Sequence, residues 1–462
     1  MKSCMNPSSL LPLCALLAAC ATPQLDSPSG QAFSRATVQH AAVASVERYE
    51  VLLPTRERLP YAGAYAKAFG PSLPYAPGSG LSYRGTDAEG KLMFWGIGDR
   101  GPNGDSPKAE VAGKTQASKV FLTPEFQPRF AEIRVTPGKL AEVTRTVPLS
   151  FNGQPASGLP ITPGSTGATG EVALSDTLQP LPYHPLGLDP EAIASDRDGN
   201  LWISDEYGPF IIKMDPQGRV LKRYAPGAGL PAILGQRQPN RGMEGLTITP
   251  SGKVYGIIQS TLDVDGKTRN NARFLRLLEL DPASGATRQF AYPLDMDAYP
   301  KAGDTKIGDI VAIDDTRFAL IDQGMTATGM RNVIYVIDIA GADDISNRLS
   351  RDGRALEFAD AAEQGSLKPV RKQRVLDLRE LGWEAEKAEG LALIPGGFAV
   401  INDNDFSMQT KISGEKGDKA SAYTVRGGKL SPAGELQFTP NGEATQLWLV
   451  RLSKPWKDWH PK

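Results

Sequence analysis

Residues 189–209 read DPEAIASDRDGNLWISDEYGP. An acid, Glu191, precedes a short apolar run. SDRDGN then makes a turn, and a second apolar run ends on Asp205 and Glu206. Two such runs around an Asp-Gly turn predict a β-hairpin. The first strand of a hairpin starts at the edge where the second ends. Glu191, Asp205 and Glu206 are therefore expected to meet.

The stretch has relatives. Glu244 opens EGLTITPSGKVYGIIQS, Asp309 opens DIVAIDDTRFALIDQG, and Glu389 opens EGLALIPGGFAVINDND. A looser copy, SGLSYRGTDAEGKLMFWGIGDRG, begins at Ser79. Glu191 to Asp205, Asp309 to Gln323 and Glu389 to Asp403 each span 14 residues, and Gln259 lies 15 after Glu244. That spacing fits two strands of about 5–6 residues and a tight turn. Long helical patterns are scarce, and Gly (48) and Pro (37) punctuate the chain. The chain is therefore read as all-β. Repeats starting at 79, 191, 244, 309 and 389 leave room for four-stranded blades, and radial repetition of blades makes a β-propeller. Five hairpins are visible. A sixth blade is expected from the terminal strands VERYEVLLP (46–54) and TQLWLVRL (445–452). The expected fold is thus a six-bladed propeller closed by the chain ends, with the leading acids at one mouth of its channel. A β-sandwich would not explain why four of the five repeats begin with an acid.

Taken together, DPEAIASDRDGNLWISDEYG, NRGMEGLTITPSGKVYGIIQS, KIGDIVAIDDTRFALIDQG and AEGLALIPGGFAVINDND resemble the phytase-like, "esterase-like" propeller family of bacterial secreted proteins. The resemblance covers roughly residues 78 to 405. It implies calcium-assisted hydrolysis of phosphate or other esters. Two departures stand out: Ser79 replaces the leading acid, and Ala192 replaces the Gly found after Glu244 and Glu389.

Glu191, Glu244, Asp309 and Glu389 are the candidate catalytic carboxylates. Asp205, Glu206, Asp322 and Asp403 join them as candidate metal ligands. Asn402, Asp405, Gln259 and Gln323 sit at the same returning ends. Crowded carboxylates repel one another unless a cation sits among them. An oxygen-only set suits a hard cation such as calcium (Ca²⁺), which takes 6 to 8 such ligands. His40, His184 and His460 all lie outside the repeats, which argues against a His-rich zinc or iron site. A bound ion would polarise a phosphoryl or carbonyl oxygen and activate a water. Arg100, Arg241 and Lys306 border the repeats. They either hold an anionic substrate or neutralise the acids. Asp196 and Asp198 read as turn formers, and Trp202 and Tyr255 as blade packing. No G-x-S-x-G elbow, Walker loop or HExxH is present.

The leading reading is a lipid-anchored, Ca²⁺-dependent hydrolase of phosphate esters acting on a small-molecule substrate. The alternatives are a Ca²⁺-dependent carboxylesterase or lactonase, and a non-catalytic surface-binding propeller. The net charge is −1, with 51 Lys and Arg against 52 Asp and Glu, so nucleic-acid binding has no electrostatic support. A monomer is expected.

The first residues, MKSCMNPSSLLPLCALLAAC, read as a secretory leader. The ending Leu17-Ala18-Ala19-Cys20 resembles a bacterial lipobox. Residues 1–19 are read as signal peptide, 20–45 as a flexible tether and 46–462 as the propeller. Cys4 and Cys14 leave with the signal and Cys20 takes the lipid, so no thiol chemistry remains. No Asp follows Cys20, which favours the outer membrane of a Gram-negative envelope. Cys20→Ser is expected to move the protein from the membrane fraction to the soluble one. Retention in the membrane fraction would mean a different anchor.

Overall fold

A computed structural model describes residues 25–26, 32–36 and 38–461. The leader and Cys20 lie outside them. Five blades carry the architecture, and each begins with one of the repeats; the first and fifth share one ten-stranded sheet. The first blade comprises Gly80–Thr86, Leu92–Ile97, Arg129–Thr136 and Leu140–Pro148. The second comprises Pro190–Ser195, Leu201–Asp205, Phe210–Met214 and Val220–Pro226. Met243–Ile248, Val254–Ile258, Phe274–Leu280 and Thr287–Pro293 make the third. The fourth is Lys306–Ala312, Arg317–Thr326, Gly329–Asp338 and Arg371–Asp377. Gly390–Ile394 and Gly397–Ile401 open the fifth.

The strands form where apolar and β-branched residues cluster, and turn residues end them. Asp196 is one such residue. Its carboxylate accepts the backbone N–H of Asp198 and Asn200 and the indole N–H of Trp202. It is a turn former, and Trp202 is blade packing.

The first strands of all five blades ring a common channel. Leu81, Ile193, Leu246, Ile310 and Leu391, one from each, line it. The strands approach so closely that side chains are excluded between them. A Cβ on Gly80 would stand 2.6 Å from the Cα of Ala192, one on Gly245 2.7 Å from the backbone N of Ile310, and one on Gly390 2.9 Å from the carbonyl carbon of Gly80. The small residue after the leading acid is thus a packing requirement.

The expected sixth blade is not found among the described residues. The terminal strands do pair, Val46 opposite Val450, but they complete the fifth blade. Gln446–Leu452 pairs with Gly397–Ile401, and Val43–Pro54 pairs outside it. The chain leaves the fifth blade after two strands, and its outer two come from opposite ends of the sequence. Pairing of Ala141 with Val51 continues that sheet into the first blade. The expected tether is also partly ordered: Leu25–Asp26 and Phe33–Ala36 pair with Val43–Pro54, and the rings of Phe33 and Tyr49 lie 5.1 Å apart.

Three connections at the acid-bearing mouth are long, and one of them, residues 149–189 between the first and second blades, pairs Val172–Leu174 with Ser118–Phe121. Residues 98–128 of the first blade and 402–445 of the fifth form small accessory strands, joined by a bridge between Ala109 and Val425. In the fourth blade the equivalent connection is a tight hairpin at Thr326–Gly329. The mouth is walled on one side and low on the other. Tight strand packing predicts the result of one pair of variants. Gly390→Val should cost roughly 2–3 kcal/mol in a urea melt, the scale of an overpacked core. Gly365→Ala, at a helical site with nothing within 4 Å, should be neutral or slightly stabilising.

Candidate functional site

Glu191, Glu244 and Glu389 lead the first strands of the second, third and fifth blades. The ring draws them together, so that one carboxylate oxygen from each lies within 4.8 Å of the others. They are 7%, 1% and 6% exposed. Asp189, Glu191 and Glu206 form a second such group, which shares Glu191. Burial and mutual repulsion push these carboxyls up. Burial raises Glu191 well above the usual range, and Glu244 and Asp189 add to it. Glu244 is raised well above it too, first by burial and then by Glu389. Burial lifts Glu389 to about 8 against the opposing Lys387. Burial and Asp189 lift Glu206 to about 7, with Arg100, Lys306 and Lys387 opposing.

Asp309 does not join them. Its carboxylate accepts the backbone N–H of Ile310 at 2.7 Å and of Leu391 at 2.8 Å, with Leu246 nearby. It ties the fourth blade to both neighbours. The reason is a one-residue offset. Glu191, Glu244 and Glu389 are each followed by a small residue and then Ile or Leu, whereas Asp309 is followed directly by Ile310. Side chains alternate across a strand, so the shift turns the carboxylate away from the mouth. Gly308 holds the aligned position.

Several other candidates also have structural partners. Asp205 accepts the backbone N–H of Asp189 at 2.7 Å and of Gly208 at 2.8 Å, and burial raises it to about 8. Asp322 accepts the hydroxyls of Tyr292 and Tyr299 at 2.7 and 2.6 Å. Asn402 accepts from the Gln446 N–H at 2.6 Å. Gln323 spends its oxygen on Asn332 and the Ala388 N–H. Gln259 donates to Glu244 at 2.7 Å. Asp403 and Asp405 receive Lys387 at 2.6 and 2.8 Å.

The bases take three different places. Arg100 is buried against Glu171 at 3.2 Å and Asp189 at 3.5 Å. Arg241 donates to the hydroxyl of Ser260 and the carbonyl of Gly303. It stands between the acids and a hollow lined by Arg269, Asn270 and Lys301. Lys306 faces the cluster and opposes the raised carboxyls of Glu206, Glu244 and Glu389. Asp99, Asp189 and Lys387, which do not lead a repeat, also stand at the site. Asp99 is raised well above its usual range by burial, Asp403 and Asp189. Asp189 and Lys387 stand two residues before Glu191 and Glu389, the spacing that puts side chains on one face of a strand.

A hard cation fits this donor set. Every ligand atom in the two groups is a carboxylate oxygen. Asp189 is 1% exposed; its Oδ2 accepts no hydrogen bond but is met by Arg100 at 3.5 Å. Crowded buried carboxylates are costly unless positive charge meets them.

Fold and site define an all-β propeller with an acidic, oxygen-lined channel mouth. Residues 79–406, well over half of the chain, match the phytase-like family described as "Esterase-like activity of phytase", and the chain belongs to that family. An uncharacterized secreted protein of Arthroderma benhamiae is 34% identical over 135 residues, 23% of this chain and 26% of that protein. The chain thus spans about a quarter of that relative's length. Among solved structures, a catalytically inactive virginiamycin B lyase from Staphylococcus aureus matches 87% of this chain and 99% of its own, at 10% identity and a TM-score of 0.28. The catalytic domain of a Coprinopsis cinerea GH62 α-L-arabinofuranosidase matches 86% and 95%, at 9% identity and a TM-score of 0.34.

The raised carboxyls set a pH dependence. Ion-free Glu206 and Glu389 titrate near 7 and 8 in the fold, against about 4.3 when unfolded. Between those values the folded state binds more protons, so stability falls as pH rises. The melting temperature of chelator-treated protein should therefore fall from pH 5 to pH 9, and excess Ca²⁺ should flatten the fall. A melting temperature that rises with pH would show that the acids are not crowded.

Proposed function

We propose that the protein is a secreted, lipid-anchored and Ca²⁺-dependent hydrolase of phosphate esters, acting at the acid-bearing mouth of the channel. The carrying observation is the convergence of Glu191, Glu244 and Glu389 from three blades, buried and within 4.8 Å. Family membership supports ester hydrolysis, and the secreted fungal relative supports an extracytoplasmic location.

In this reading Glu191, Glu244 and Glu389 hold the ion, and Asp189 and Glu206 extend the set. When bound, the ion polarises a phosphoryl oxygen and makes a coordinated water more acidic. Lys306 stands beside the acids and orients the anionic group by charge. The accessory strands wall one side of the mouth, so a substrate enters over the fourth blade. Arg100, held by Asp189 and Glu171, positions Asp189 rather than meeting substrate.

The test is a screen of chelator-treated and Ca²⁺-reloaded protein against phosphomonoesters, phosphodiesters, phytate and aryl esters. Phosphate esters should be cleaved only with the ion present. Glu191→Gln and Glu244→Gln should each lower kcat/KM by roughly a hundredfold, the scale of a displaced metal ligand shell. Cleavage of aryl esters alone would shift the assignment to a carboxylesterase or lactonase. If Ca²⁺ raises the melting temperature but no ester is cleaved, the protein is a binding propeller with a structural ion.

A further inference from the structure

The ring offers five equivalent places at the acid-bearing mouth, one per first strand. Glutamates fill three, in the second, third and fifth blades, and Gly308 stands in the fourth. In the first blade the place belongs to Ser79. Backbone pairing establishes the equivalence. The Ser79 N–H donates to the Ile97 carbonyl at 3.0 Å, and Gly80 pairs with Ile97. The Glu389 N–H donates to the Ile401 carbonyl at 3.2 Å, and Gly390 pairs with Ile401. Ser79 therefore sits in its blade as Glu389 sits in the fifth.

Its neighbours in the ring are two of the three glutamates. A Cβ on Gly80, the next residue, would stand 2.9 Å from the carbonyl oxygen of Glu191. On the other side, Gly390 of the fifth blade packs against Gly80. Ser79 is 1% exposed, and its hydroxyl has no hydrogen-bond partner. A buried hydroxyl left without a partner is destabilising and calls for an explanation. Nothing in blade packing supplies one, because the strand is held by its backbone and by the glycine beside it.

We propose that Ser79 Oγ is a donor to the cation held by Glu191, Glu244 and Glu389. The inference rests on the reading of this mouth as a cation site. Three glutamates already carry more negative charge than a divalent ion balances. A hard cation of 6 to 8 oxygens still needs more donors. A serine hydroxyl adds an oxygen without adding charge, and so leaves the ion's electrophilic character less quenched than a fourth carboxylate would. Ser79 is also the departure from the acid-led repeat, which gives that substitution a chemical role.

The test is calorimetric titration of chelator-treated full-length protein with Ca²⁺ and with Cd²⁺. Ser79→Ala should weaken Ca²⁺ binding by roughly tenfold, a ligand-sized effect, while the ion-free melting temperature stays level or rises. Ser79→Cys keeps the side-chain size and replaces a hard oxygen with a soft sulfur. It should weaken Ca²⁺ and strengthen Cd²⁺, because thiolate selects the softer ion. This second variant answers even if Ser79→Ala folds poorly. Unchanged affinity for both ions in both variants would overturn the role of Ser79 alone. A wild-type protein that binds neither ion would overturn the cation site, and the Ser79 inference with it.

Discussion

The close approach of five first strands around one channel is the constraint on which the rest depends. Where Gly80, Gly245 and Gly390 pack on the next strand, a β-carbon has no room. The narrowness that excludes side chains between the strands also forces together those that lead into them. Glu191, Glu244 and Glu389 are far apart in the chain and come from separate sheets. They meet because the ring leaves no wider arrangement. Their raised pKa values follow from the same cause, since burial removes water and proximity adds repulsion. Such a cluster stores unfavourable electrostatic energy in the ion-free fold. A cation or protons relieve it.

The ring is nearly five-fold in backbone and far from five-fold in chemistry. The second, third and fifth blades contribute carboxylates, the first a hydroxyl, and the fourth a glycine beside Lys306. Two residues upstream of the ring positions, Asp189, Lys306 and Lys387 add a second tier of mixed charge. The accessory strands of the first and fifth blades then wall one side. A symmetric scaffold thereby becomes asymmetric: carboxylates come from three blades, and a lysine stands beside the glycine of the fourth. Loops and departures from the repeat supply that asymmetry, as is usual where function is grafted onto a repeated fold.

Asp309 shows how a site can be misread from a motif. It begins its repeat with an acid and keeps the 14-residue spacing to Gln323. Its function nevertheless changes with a one-residue offset from the following apolar residue. In the ring its carboxylate binds backbone N–H groups of the neighbouring blades. The offset was visible in DIV against EGL and EAI, because alternation along a strand decides which face a side chain takes. Asp189 and Lys387 were legible by the same rule, two residues before the acids.

The sequence alone determined the all-β class, the repeated hairpin, the gathering of leading acids at one edge and the small residue each copy needs after them. These are local properties, carried by period-two patterning and turn chemistry within some twenty residues. It did not determine the place of the chain ends. The fifth blade takes its outer strands from residues 446–452 and 43–54, and strand pairing across most of the chain leaves no local mark. Only the tertiary structure decided which acids face one another and which are spent on tyrosines, backbone or Lys387. That choice depends on the direction each side chain takes once five strands share one channel, and direction in three dimensions is set by packing between segments rather than within them.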